Sequence, residues 1–203
     1  MKTYLCRHAL LLWLELRGRR AEPDHEDLDP YRLAPILASR FILDLATTGM
    51  GLKSVETGTR VAARLPSFAQ SPRSAFAGID GAAFEELVRI VAQEGHGAVI
   101  HARAGEVSLE ILLMPLTLHR FSGRRILGVV ADCNPYAKPG ASLPLAIESC
   151  RFLSKDLPEI APQTQHLVDP KNPPLTARDH SRPIAFSPEP QRLTPKFYPR
   201  LLQ

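Results

Sequence analysis

The stretch Val107–Asp132, VSLEILLMPLTLHRFSGRRILGVVAD, decides how the rest of the chain is read. Two apolar, β-branched runs flank a turn at Ser122-Gly123, and the second run stops at Asn134-Pro135. Runs of this length, bounded by turn residues, read as paired antiparallel strands. Upstream, GAVIHARA (97–104) reaches a turn at Gly105 and adds a third strand, so the three form a meander. Pro115 inside the middle run predicts a bulge or a position whose N–H has no rung to fill. The nearly unbroken apolar run Ile111–Leu118 predicts that both faces of that strand are covered.

Ahead of the meander, Asp80 opens an amphipathic helix with Phe84, Leu87, Val88 and Val91 on one side, ending at Glu94-Gly95. RFILDLA (40–46) reads as a first strand and the segment near Leu52–Glu56 as a second. TGTRVAARL reads as a short helix, followed by a polar connection containing prolines. At the N-terminus, residues 3–17 lack Gly and Pro and carry Leu5, Ala9, Leu12, Trp13 and Leu16 at three- and four-residue steps. This is one apolar stripe of a helix, stopped by Gly18. Asp29 before Pro30 predicts the capped start of a short helix over about 30–37.

Of the 203 residues, 44% are hydrophobic, enough to bury a core. With 25 Lys plus Arg against 21 Asp plus Glu, the net charge is +4, well short of the basic face of a committed nucleic-acid binder. Cys6, Cys133 and Cys150 are odd in number and irregular in spacing, which suggests neither a disulfide framework nor a zinc site and fits a reduced compartment. The apolar run ALLLWLEL is short, broken by Glu15, and leads to Arg17-Gly18-Arg19-Arg20 instead of a small-residue cleavage site. It is too short to span a bilayer, and a cytoplasmic location without membrane contact is expected. The last 42 residues hold nine of the 19 prolines, and this composition predicts an irregular, flexible tail. The chain thus divides into an N-terminal helix and turn (1–38), a core (39–135), an extension (136–161) and the Pro-rich tail (162–203).

Two strands, an irregular helical middle, a longer helix and a meander follow the element order of a PAS domain. Trp13, Leu16-Arg17-Gly18, Arg20, Pro23, Leu28-Asp29-Pro30, Leu33, Leu37 and Leu43-Asp44-Leu45 resemble the opening of a PAS-like family of alphaproteobacteria, in which a helix precedes the PAS core. ETGTRVAARL, LEILLMPL and RRILGVVA resemble further segments of that family, over roughly residues 5–135. The resemblance implies an α+β fold: a five-stranded antiparallel sheet with helices on one face and an N-terminal helix packed outside the core. It also implies a non-catalytic sensory or regulatory module that acts through protein contacts, with any small apolar ligand lying between the sheet and its helices. Ile126, Gly128 and Val130 would line that space with Leu113, Phe84 and Leu87, although alternation alone leaves the set Leu127, Val129 and Ala131 equally eligible.

Specialised chemistry lacks its residues. Haem ligation in the middle of a PAS core needs a His, and residues 47–94 contain none; a flavin photoreceptor needs a Cys there, and none lies between Cys6 and Cys133. Neither haem nor flavin is expected, and no metal site, since His96 and His101 are five apart and His119 lies on another strand. Rival readings are a small hydrolase using Cys133 or a histidine, and a weak nucleic-acid binder through Arg17, Arg19, Arg20, Arg124 and Arg125. The N-terminal stripe must dock on its own sheet or on another molecule. A homodimer or hetero-complex seated on Leu5, Ala9, Leu12, Trp13 and Leu16 is the expectation carried forward.

Overall fold

A computed structural model describes residues 1–45, 52–118, 123–134 and 144–153. Six antiparallel strands form one sheet: β1 (Arg40–Leu45), β2 (Leu52–Thr57), β3 (Ala98–Ala104), β4 (Val107–Thr117), β5 (Arg124–Asp132) and β6 (Ala146–Phe152). Their spatial order is β2-β1-β5-β4-β3-β6. The meander β3-β4-β5 therefore forms the middle of the sheet, and β1 joins it through β5. The α+β fold with an antiparallel sheet, expected from the sequence, is the fold observed.

The sheet has six strands where five were expected. β6 pairs with β3 from Ala98↔Phe152 to Arg103↔Ala146, with a register shift between His101 and Ala102. That irregularity, and the mixed sequence AIESCRF, break the two-residue period that would have marked a strand. Pro115 causes no bulge, for the β4–β5 register runs evenly through Pro115↔Ile126. The last β3–β4 pair is Ala98↔Leu113, so Pro115 lies beyond the reach of β3 and its missing N–H costs no rung on that side.

Helices cover both faces. α3 (Thr59–Arg64) and α4 (Gly78–Glu94) lie on one, with the core of Phe84, Leu87, Val88 and Val91 that the helical period predicts. α4 ends where Gly95 takes a left-handed conformation (φ 70°) and donates its N–H to the Val91 carbonyl. On the other face lie α1 (Tyr4–Arg17) and α2 (Pro30–Leu33). Gly18, at φ 54°, stops α1 as expected, and the Asp29 side chain caps α2 by accepting from the Tyr31 N–H at 2.9 Å. α2 is a single turn, after which the chain reaches β1 through a 3-10 turn at Leu37–Ser39. His119, the Asn134-Pro135 stop beyond Asn134 and the Pro-rich tail lie outside the described residues. No helix among the described residues is long and apolar enough to cross a membrane.

Candidate functional site

Strand alternation sends two sets of side chains to opposite faces, and the structure assigns them. Ile126 and Val130 point toward α4, while Leu127, Val129 and Ala131 point toward α1. All of the expected pocket-lining side chains, Leu113, Phe84, Leu87, Ile126 and Val130, meet in one buried cluster. Four phenylalanines occupy the centre of that layer. Phe41 and Phe68 meet edge-on with centroids 4.7 Å apart, Phe68 meets Phe84 at 6.0 Å, and Phe76 stacks on Phe84 at 4.4 Å. The Phe41 ring lies directly against Gly128, where an added Cβ would stand 1.9 Å from Cζ. At this position the sheet-to-helix space is filled by the protein's own aromatic side chains.

The N-terminal stripe meets the opposite face. Ala9, Trp13 and Leu16 are buried, Leu5 and Leu12 are half-buried against the same cluster, and Leu10 and Leu14 join them from the helix side that periodicity had not marked. Leu112, Met114, Leu116, Leu127 and Val129 provide the receiving surface. The indole N–H of Trp13 donates to the Pro115 carbonyl at 2.9 Å, fully buried. The expected interface residues are therefore committed within the chain. The physical reason is that the second face of this sheet is as apolar as the first, so α1 completes the core instead of standing outside it.

A charged residue sits inside this apolar layer. Glu110, in the run SLEILLMPL, is fully buried. Its carboxylate accepts from the Lys2 N–H (2.6 Å), the Thr3 N–H (3.0 Å), the Thr3 hydroxyl (2.7 Å) and His101 Nε2 (3.0 Å). Burial pushes its pKa up, but the hydrogen bonds from His101, Lys2 and Thr3 outweigh burial and hold it down at about 2. Thr3 is the N-cap of α1 and accepts from the Cys6 N–H, so Glu110 places a negative charge at the helix start, where the backbone dipole favours it. His101 Nδ1 in turn contacts the Ser149 hydroxyl at 3.2 Å. Ser149, His101 and Glu110 are opposed residues on β6, β3 and β4, a line of neighbours the sequence reading did not connect. The line has the residue types of a hydrolytic triad, but Ser149 lies in mid-strand, and among the described residues no turn or helix N-terminus stands beside it to supply paired N–H donors. The carboxylate with its four donors acts as the anchor of α1.

A family model described as a PAS domain matches residues 1–131. The chain belongs to the PAS domain family. No curated protein and no solved structure matches it. The match takes in α1, the Glu110 anchor and the sheet through β5, while β6 and Ser149 fall outside it. PAS domains are sensory and regulatory modules, and this chain shares that general role.

The remaining reactive residues of this PAS domain are engaged in structural contacts. Burial pushes the Cys6 and Cys150 thiols up to about 12 and raises that of Cys133, which disfavours the thiolates. Asp132, the chain neighbour of Cys133, pairs with Arg64 at 3.1 Å. His119 lies outside the described residues. Among the described residues no group of three or more His, Cys, Asp or Glu side chains is placed to hold a metal ion. The fold brings the two arginine clusters to one end of the molecule, where carboxylates meet them. Arg20 pairs with Asp27 at 2.6 Å, Arg124 with Glu22 at 3.2 Å and Arg125 with Asp44 at 3.5 Å. Such pairing leaves little of the contiguous cationic stripe that phosphate binding requires.

Beside this charged end lies a cleft of about 370 Å³. It opens between α1, the turn at Ala21–Asp24 and the end of α4, with Leu10, Trp13, Met114 and Leu153 among its apolar lining and Arg17, Glu22 and Arg124 among its charged lining. The sequence reading placed a ligand on the other side of the sheet. A sequence signal for this site does exist, in the single tryptophan followed by an arginine four residues later and then Glu22-Pro23.

Proposed function

We propose that this PAS domain is a non-catalytic regulatory module whose output is a protein contact made by the outward side of α1. The observation that carries the reading is the exposure of that side. Tyr4 is 76% and Leu11 45% exposed, and they share a helical face with His8, on which Tyr4 stacks at 5.9 Å. Glu15, one turn beyond Leu11, pairs with Arg32, and the adjacent Tyr31 on α2 is 90% exposed. Aromatic and apolar groups with a charged border suit a protein partner, either a second copy or another chain. The phenylalanine packing supports the same reading, since a module with that space filled works without a ligand there.

The test is site-directed photo-crosslinking in cells, with the reactive residue at Tyr4 or Leu11 and a control at Val55 on β2. Adducts from Tyr4 and Leu11 with none from Val55 agree with the proposal. Adducts from Val55 alone, or from none of the three, overturn it. Light scattering of the purified chain separates self-association from a foreign partner.

A further inference from the structure

The cleft beside Trp13 has two polar atoms whose needs are opposite. Glu22 is 8% exposed; its Oε1 accepts from Arg124 at 3.2 Å, while its buried Oε2 has no hydrogen-bond partner. Arg17 Nε is a buried donor without an acceptor, and its guanidinium carbon lies 5.4 Å from the Trp13 ring centroid. Both residues line the same cleft, one lacking a donor and the other an acceptor. Buried polar groups are satisfied in the great majority of cases, so two complementary exceptions at one cavity call for a physical cause.

Local structure holds Glu22 in this position. The next residue, Pro23, accepts from the Thr117 N–H at 3.1 Å, and Asp24 bridges to Thr117, fixing the turn on the end of β4. Gly95 leaves room for the carboxylate: a Cβ there would stand 2.7 Å from Glu22 Oε1. Gly97 likewise admits Leu153, whose Cδ1 would be 2.9 Å from an added Cβ. Burial raises the pKa of Glu22, more than Arg124 lowers it, which is the environment in which a cationic or donating guest is favoured.

We propose that this cleft binds a small zwitterion with an apolar body, in chemical class an apolar α-amino acid. Its ammonium donates to Glu22 Oε2, its carboxylate accepts from Arg17 Nε, and its side chain rests on Trp13, Leu10 and Leu153. The volume lies at the small end of the range for ligand sites. This goes beyond the contact reading of α1 and stands or falls separately, because the cleft uses the sheet-facing side of the helix and the proposed contact uses the outward side.

Trp13 is the chain's single tryptophan, so its fluorescence reports the cleft alone. Full-length protein is titrated with L-leucine and L-methionine, then with isocaproate, which lacks the ammonium, and isopentylamine, which lacks the carboxylate. A saturable response to either amino acid is expected, with each analogue at least about tenfold weaker. Glu22→Gln should weaken leucine by about tenfold and leave isocaproate unchanged; Arg17→Gln should weaken leucine and leave isopentylamine unchanged. Should one variant fail to fold by circular dichroism, the other still decides. No saturable response to either amino acid, equal binding of the analogues, or unaltered leucine binding in a folded variant overturns the proposal.

Discussion

On the α3–α4 face of the sheet the core is closed by shape, with four phenylalanine rings in successive contact and one of them seated on a bare glycine backbone. On the α1 face it is closed by apolar packing with polar fastenings: the Glu110 carboxylate at the start of the helix, and the Trp13–Pro115 hydrogen bond and the cleft toward its end. Apolar packing is indifferent to pH and to small solutes, whereas a buried carboxylate and a polar-walled cleft respond to both. The contrast places the buried polar groups around α1, and the aromatic packing on the side where the resemblance implies a ligand.

The largest effect should come from filling the gap under Phe41. Gly128→Leu would drive its side chain into the buried Phe41 ring, against which Phe68 is itself packed. A loss of more than about 3 kcal/mol is expected, measured by chemical denaturation. Combining it with Phe41→Ala should recover a large part of the loss, because the clash involves that one ring. Equal instability of the single and double variants would show that the phenylalanine layer does not close this face as described.

Next comes the Glu110 anchor, which bears on the other face. Its pKa is held at about 2 against an ordinary value of 4.5, so the folded state favours the ionised form. The resulting stabilisation is fully present above about pH 4.5 and is lost as the pH falls through about 2, a contribution of roughly 3 kcal/mol. Glu110→Gln should therefore lower stability at neutral pH by about 1–3 kcal/mol and flatten the acid limb of the stability curve. Hydrogen exchange should show α1 loosening before the sheet in this variant. An unchanged acid limb would mean that the carboxylate is not what fastens the helix.

How much of this contrast was legible in the sequence differs between the faces. The phenylalanine side was readable in part: Phe84 and Leu87 follow helical spacing, while alternation separates Ile126, Gly128 and Val130 from Leu127, Val129 and Ala131 without saying which set meets α4. Its filled centre was not readable, since that depends on Phe41, Phe68 and Phe76 arriving from separate segments. On the α1 side the helix, its Gly18 stop and the Asp29 cap of α2 were readable, but the destination of α1 was not. A stripe at helical spacing states that a helix must dock and leaves open on what. Glu110 carried a signal in being the one charged residue of SLEILLMPL, on the same strand face as Leu112 and Met114. Its partners, 107 residues earlier at Thr3 and across β3 at His101, belong to tertiary structure. β6 was legible only as one of two options, a further strand or a short helix in SLPLAIESCRFLSKDL, because its register shift spoils the alternation by which a strand is recognised.

A smaller effect separates the hydrogen bond of Trp13 from its bulk. Trp13→Phe keeps an aromatic ring in the α1 layer but removes the donor to the Pro115 carbonyl, leaving a buried acceptor unsatisfied. A loss of about 1–3 kcal/mol is expected, part of it from the smaller ring. Since Pro115 has no strand beyond it on the β3 side, water can reach the carbonyl once the helix end loosens, and the lower half of that range is the sharper expectation. A loss near zero would show that α1 is held by its apolar stripe and by Glu110 alone.

The smallest change in stability belongs to the outward side of α1, and that is what makes it informative. Leu11 is 45% exposed and packs in neither core cluster, so Leu11→Asp should shift the unfolding free energy by no more than about 0.5 kcal/mol. Leu16→Glu, at a buried position of the same helix, should cost several times as much, because Leu16 is 8% exposed and a carboxylate there would be taken from water without a partner. The two variants carry the same type of charge on one helix, so any difference between them reflects the side they occupy. A protein contact through the outward side requires that Leu11→Asp abolish crosslinking from Tyr4 while leaving the unfolding curve in place. If it destabilises the fold as much as Leu16→Glu does, α1 has no free side, and the surface assigned to a partner belongs to the domain itself.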